Sequence, residues 1–212
     1  MLKINEYPIG SGTDRDCEIP NFLEFLKYYK GRYESLLDVG AHYSANTYGP
    51  DVRKLVKKYT AFDPQFDQKV ADLCDDFIVG DAVVDSLPSH DVVVCLSTLE
   101  HVGQYPIVYP DYIEKRQVMF KKILEAAKKY FWVSFPVGLP YLIEKEMAIF
   151  GEQEFERMEK TMEPYITDFG FFFSEGPQAG HPWRPIGRKE VFNNPYVDSL
   201  GNRGLCVIEG VV

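Results

Sequence analysis

Short apolar runs, most of them ended by an acid, a proline or a glycine, alternate along this chain with stretches whose apolar side chains recur every third or fourth residue. The runs read as strands and the stretches as amphipathic helices. Strands are expected at 35–39 (Ser-Leu-Leu-Asp-Val), 59–62, 76–79, 92–96, 130–135, 169–174 and 205–211. Asn21 is placed to cap a helix that carries Phe22, Leu23, Phe25, Leu26 and Tyr29 and stops near Gly31. Asp51 is placed to cap a second one, with Val52, Leu55, Val56 and Tyr59 on one side. A short helix is expected near 68–73. The clearest helix follows Asp111, with Tyr112, Val118, Met119, Ile123, Leu124 and Ala127 at helical spacing. The charged stretch 143–162 reads as one or two helices with a break at Gly151, and residues 1–19 as a loose leading segment.

Strands alternating with helices predict a parallel sheet with crossover helices, the α/β class. Right-handed crossovers return every strand in the same direction, so the carboxyl ends of the strands share one edge, where ligands bind in open α/β sheets. Three acids fall at that edge: Asp38 in Leu-Leu-Asp-Val-Gly, Asp63 in Ala-Phe-Asp-Pro, and Asp81 in Val-Gly-Asp-Ala. Carboxylates gathered there suit a ligand rich in hydroxyl and amino donors, such as a nucleoside. Each acid on its own also fits a local turn or cap.

With 212 residues, 45 % hydrophobic, the chain is long and apolar enough for one domain spanning 1–212 with a sizeable core. A net charge of −9 argues against a nucleic-acid partner, since phosphate binding shows as a basic excess; a small anionic substrate on a local basic cluster stays open. Cys17, Cys74, Cys95 and Cys206 lack paired spacing and read as buried free thiols; no metal-ligand spacing appears. No signal-peptide core and no membrane-length apolar run is found, so a cytoplasmic location with no membrane partner is expected.

Asp38-Val39-Gly40-Ala41-His42-Tyr43-Ser44 runs from the first strand through a glycine turn toward a helix, whose first N–H groups suit an anion. It is not the dinucleotide fingerprint, which needs glycine where His42 stands. Taken with Asp63, Asp81 and the segment Asp91-Val-Val-Val-Cys-Leu-Ser-Thr-Leu-Glu-His-Val102, the chain from about 33 to 137 resembles the class I S-adenosylmethionine-dependent methyltransferases of the small-molecule type. The resemblance implies a Rossmann-like, seven-stranded, mostly parallel sheet with helices on both faces and a C-terminal antiparallel hairpin. It implies S-adenosylmethionine as cofactor. Asp38, Gly40, Ala41 and His42 map onto the methionine end, Asp63 and Pro64 onto the ribose, Asp81 and Ala82 onto the adenine, and Leu96 and Ser97 onto the sulfonium side. His42 and Ser44 stand where the family has its second and third loop glycines.

An oxygen acceptor must lose a proton during methyl transfer, and a histidine titrating near neutrality suits that task, which singles out His101. The plain alternative has Glu100 opening a helical turn and His101 packing under the next loop. Glu100 and Tyr105 are candidate substrate contacts. So are Trp183 and Arg184, from the aromatic and basic segment His181-Pro-Trp-Arg-Pro-Ile-Gly-Arg-Lys189, whose ring and guanidinium groups suit a sugar or a nucleotide-sugar. Methyl transfer to a small molecule, an oxygen of a sugar or glycan precursor, is therefore the expected function. A non-catalytic scaffold with the same fold is one rival; a nucleotide-binding oxidoreductase, opposed by the missing fingerprint, is the other.

Overall fold

A computed structural model describes residues 13–42, 45–104, 107–143, 146–175, 182–195 and 203–212. Five strands, β1 (Ser35–Val39), β2 (Lys58–Asp63), β3 (Asp76–Val79), β4 (His90–Leu96) and β5 (Ala127–Val137), run parallel in the order β3-β2-β1-β4-β5. A hairpin β6 (Tyr141–Ile143) and β7 (Met147–Ile149) stands apart from the sheet. The sheet continues with β8 (Ile166–Ser174), β9 (Arg184–Ile186) and β10 (Arg203–Val211), in the order β5-β10-β8-β9. β10 lies between β5 and β8 and is antiparallel to both. The sheet therefore has eight strands where seven are expected; the additional one is the short edge strand β9, paired with β8.

Alternation along the strands sorts the core onto two faces. Leu37, Val39, Val93, Cys95, Phe131 and Val133 face one side. They pack on α4 (Tyr112–Ala126), α5 (Glu152–Met162) and α6 (Arg188–Phe192) through Phe120, Ile123, Phe155, Met158 and Val191. Leu36, Val92, Val94 and Trp132 face the other side. There they meet α1 (Arg15–Tyr28), α2 (Ala45–Val52) and α3 (Gln68–Ala71) through Phe22, Leu26, Tyr48, Val52 and Val70. β1, β4 and β10 are buried along nearly their whole length because both faces are covered.

Four expectations are corrected. The first helix begins at Arg15, not Asn21, so part of the supposedly loose segment 1–19 is helical; Cys17 and Glu18 are fully buried, while Pro20 falls on the exposed side, where water can replace the hydrogen bond it removes. The second helix starts at Ala45, directly behind the glycine turn, and buries Ala45, Tyr48 and Val52; Asp51 is exposed near its end and pairs with Lys54 at 2.7 Å. The first half of 143–162 is not helical: its start joins 141–149 in the β6–β7 hairpin, and only Glu152–Met162 forms a helix. Trp183 is 1 % exposed and belongs to the core on the α1 face.

Candidate functional site

A cavity of about 300 Å³ lies at the carboxyl ends of β1, β2, β3 and β4. Its floor is the turn after β1. Gly40 has φ +81°, and a Cβ there would run into the Thr98 side chain after β4, so glycine is what allows the two turns to touch. Thr98 Oγ1 donates to the Gly40 carbonyl at 3.4 Å. Beneath the turn lies Asp38, fully buried, its Oδ2 accepting from Tyr48 Oη of α2 and Tyr59 Oη of β2, both at 2.8 Å. Burial raises the Asp38 pKa to about 6, against the pull of the two tyrosine bonds. Asp38 thus props the turn from below and does not line the cavity.

Asp63, at the end of β2, does line it. Its Oδ1 accepts from the Gln65 amide at 2.8 Å and its Oδ2 from the His42 amide at 3.1 Å, which fixes the carboxylate while leaving lone pairs for a ligand. Burial raises its pKa, and the two amides oppose that. Asp81, in the turn after β3, accepts from the Val83 amide at 2.9 Å and from the hydroxyl of Tyr109, across the cavity. That bond pushes the Tyr109 phenol up to about 12, burial adding to it.

After β4 the backbone turns sharply at Ser97, whose φ of +40° is unusual for a residue with a side chain. Its Oγ donates to Glu18 Oε1 of α1 at 2.6 Å, and Ser134 Oγ of β5 donates to the same oxygen. Glu18 Oε2 pairs with Arg15, which lines the cavity. Burial works against the Arg15 charge, but Glu18, with Tyr48, Glu100 and Asp14 adding, outweighs it and raises the guanidinium pKa. Leu99–His101 form a single 3₁₀ turn. His101 lines the cavity; Glu100 turns inward, 3 % exposed, and burial raises its pKa to about 8.

Of the residues singled out from sequence, Gly40, His42, Asp63, Pro64, Asp81, Ala82, Ser97 and His101 meet at this cavity. Asp38, Ala41 and Leu96 are buried behind its wall, and Glu100 beneath it. Trp183 and Arg184 are elsewhere: the indole is in the core, and Arg184 lies over Phe173 and pairs with Glu190 at 3.7 Å, so neither of the two lines this cavity. Tyr105, Ser44 and His181 lie outside the described residues. Sequence reasoning missed Arg15 and Glu18. Their i, i+3 spacing fits a helical pair, but the partners that bury Glu18 stand 79 and 116 residues away. Among the described residues, no group of three or more His, Cys, Asp or Glu is arranged to hold a metal, and no helix is long and apolar enough to cross a membrane.

No family model matches the sequence, and no curated protein matches it significantly. Solved structures do resemble it. A SAM-dependent methyltransferase from Archaeoglobus fulgidus aligns with 93 % of this chain and 94 % of its own at 14 % identity and a TM-score of 0.55. Magnesium protoporphyrin IX methyltransferase from Synechocystis PCC 6803, with bound SAM, aligns over 96 % of this chain and 86 % of its own at 12 % identity and a TM-score of 0.52. Streptomyces venezuelae DesVI aligns over 84 % and 93 % at 11 % identity and a TM-score of 0.51. The fold is that of the class I S-adenosylmethionine-dependent methyltransferases.

Proposed function

We propose that this chain transfers a methyl group from S-adenosylmethionine to the hydroxyl of a small molecule. The observation that carries the reading is the charge pattern of the cavity. Asp63 and Asp81 line the side below β2 and β3, while Arg15 is its one lining arginine or lysine among the described residues and is tied to the ends of β4 and β5 through Glu18. Three strand spacings separate β3 from β4, about 14 Å at the usual interstrand distance. An adenosyl group with an amino-acid tail fits that pattern, with hydroxyl and amine donors toward the carboxylates and a carboxylate toward the guanidinium. S-adenosylmethionine supplies the electrophilic methyl group on a sulfonium.

In this reading Asp63 accepts from the ribose hydroxyls, Asp81 and Ala82 border the adenine, and the Gly40 turn with His42 carries the amino-acid half. Ser97 and Thr98 wall the sulfonium side. His101 takes the proton of the acceptor hydroxyl, and positioning of acceptor against donor supplies much of the rate. The support for a hydroxyl is His101; the segment from Trp183 to Lys189 lends none, since Trp183 is buried and Arg188 pairs with Glu152 and Glu159. Sugars remain the first class of acceptor to assay.

Calorimetry with S-adenosylmethionine, S-adenosylhomocysteine and NAD tests the reading. Both adenosyl ligands should bind and NAD should not; failure of the wild type to bind either adenosyl ligand ends the proposal. Asp63→Ala should weaken S-adenosylhomocysteine at least tenfold, about 1.4 kcal/mol, the scale of one hydrogen bond to a charged group. Unchanged affinity would remove the ribose assignment.

A further inference from the structure

His101 Nδ1 lies 2.6 Å from the backbone carbonyl oxygen of Glu146, in the turn between β6 and β7. A carbonyl oxygen only accepts, so Nδ1 carries the proton of that bond. In a neutral ring the lone pair is then on Nε2. Nε2 is not engaged by Glu100 in a hydrogen bond, the nearest carboxylate oxygen being 3.9 Å away. The ring lines the cavity and its side chain is 44 % exposed, so Nε2 has a path for returning a proton to water.

The carbonyl is held in place by a separate device. Arg116 of α4 is 1 % exposed, and its Nη2 donates both to the Glu100 carbonyl of the 3₁₀ turn, at 3.3 Å, and to the Ala148 carbonyl of β7, at 2.7 Å. One guanidinium thus clamps the segment carrying His101 to the strand that follows Glu146. Its Nη1 reaches Glu154 of α5 at 3.2 Å, and the group lies over the Phe150 ring.

We propose that the Glu146 carbonyl, set by the Arg116 clamp, is a positioning group for His101: it selects the Nδ1–H tautomer and leaves the Nε2 lone pair as the cavity's proton acceptor. The β6–β7 hairpin is thereby a part of the catalytic apparatus and not a surface ornament. The acceptor class follows: a neutral nucleophile that arrives with its proton, such as an alcohol or phenol, which passes that proton to Nε2 as its oxygen takes the methyl group. This catalytic meaning rests on the methyl-transfer reading; the tautomer does not. The surroundings also keep the ring neutral. Burial lowers its pKa, Arg15 and Arg116 add to that, and the Glu146 carbonyl and side-chain charge oppose it. Glu100, protonated up to about pH 8, offers little negative charge to a protonated ring.

Histidine ¹⁵N–¹H correlation spectra of the labelled full chain at pH 7.5 read the tautomer directly, with His101 assigned by the signals that His101→Gln removes. The expected spectrum has a protonated Nδ1 and an unprotonated Nε2; a protonated Nε2 in the wild type overturns the proposal. A second variant replaces residues 143–147 by Gly-Gly, so that the Leu142–Ala148 pair closes a two-residue turn and the Ala148 carbonyl stays available to Arg116. In it the two ring nitrogens should move toward the opposite tautomer or an average of both. An unchanged His101 signature in that folded variant also overturns the proposal. If the variant does not fold, the wild-type spectrum still decides. Titration of the same samples with S-adenosylhomocysteine tests the donor reading separately.

Discussion

Removing Glu18 should cost more than any surface ion pair in this protein. The side chain is fully buried, and its two oxygens receive Ser97 Oγ, Ser134 Oγ and the Arg15 guanidinium. Hydrogen bonds to a charged group contribute roughly 1.5–3 kcal/mol each. The Arg15 pair counts for less, since that side chain is 30 % exposed and solvent screens it. Two serine hydroxyls left over a new cavity can rotate toward other acceptors. Together these place Glu18→Ala about 3–5 kcal/mol below wild type. For a chain of this size each kcal/mol shifts Tm by roughly 2–4 °C, so a fall of about 6–20 °C is expected in a circular-dichroism melt. Glu18→Gln keeps one oxygen for the serines and should lose about half as much. Because Ser97 and Arg15 both line the cavity, S-adenosylhomocysteine affinity should drop in the alanine variant as well. A loss below about 1 kcal/mol, or a glutamine variant as damaged as alanine, would show that Glu18 is not the tie between α1 and the strand ends.

Gly40→Ala combines a positive φ with a methyl group aimed into Thr98, and should lose about 2–4 kcal/mol in urea unfolding; adding Thr98→Ala should recover part of it, and full tolerance of the single change would contradict the close approach of the two turns. Glu100 makes stability depend on pH. Its folded pKa of about 8 lies above the ordinary glutamate value, so the unfolded chain releases this proton first and the folded state binds more protons between about pH 4.5 and 8. This group's contribution should therefore decline by a few kcal/mol as pH rises through that window. Glu100→Gln should flatten the decline, measured by urea unfolding at pH 5, 6.5 and 8; parallel slopes for the two proteins would refute it.

Legibility from sequence followed the range of the interactions. β1 and β3 lie at the expected residues, and β2, β4 and β5 within a few of them, because buried parallel strands announce themselves as local apolar runs. The same locality made Gly40, Asp63 and Asp81 visible, since each stands at a strand end. Local pattern failed where burial comes from distant partners. Glu18 looks like a solvated residue of a loose leading segment until Ser97 and Ser134 are brought to it. Trp183, among prolines and arginines, looks like a surface platform, yet the sheet and α1 enclose it. The charges at the start of 143–162 suggest a helical face, while Tyr141–Ile143 and Met147–Ile149 pair with each other as strands.

The placement of β10 bears on how the protein is made. It follows the other described strands in chain order, yet it fills an interior position between β5 and β8. Until a ribosome has delivered residues 203–211, the nascent chain holds two sheet fragments, each with a long apolar edge and no partner. Premature termination before that point should yield an aggregation-prone polypeptide, not a shortened protein. Split-fragment complementation is the constructive side of the same fact: a peptide spanning β10, supplied in trans, has a slot waiting on both sides.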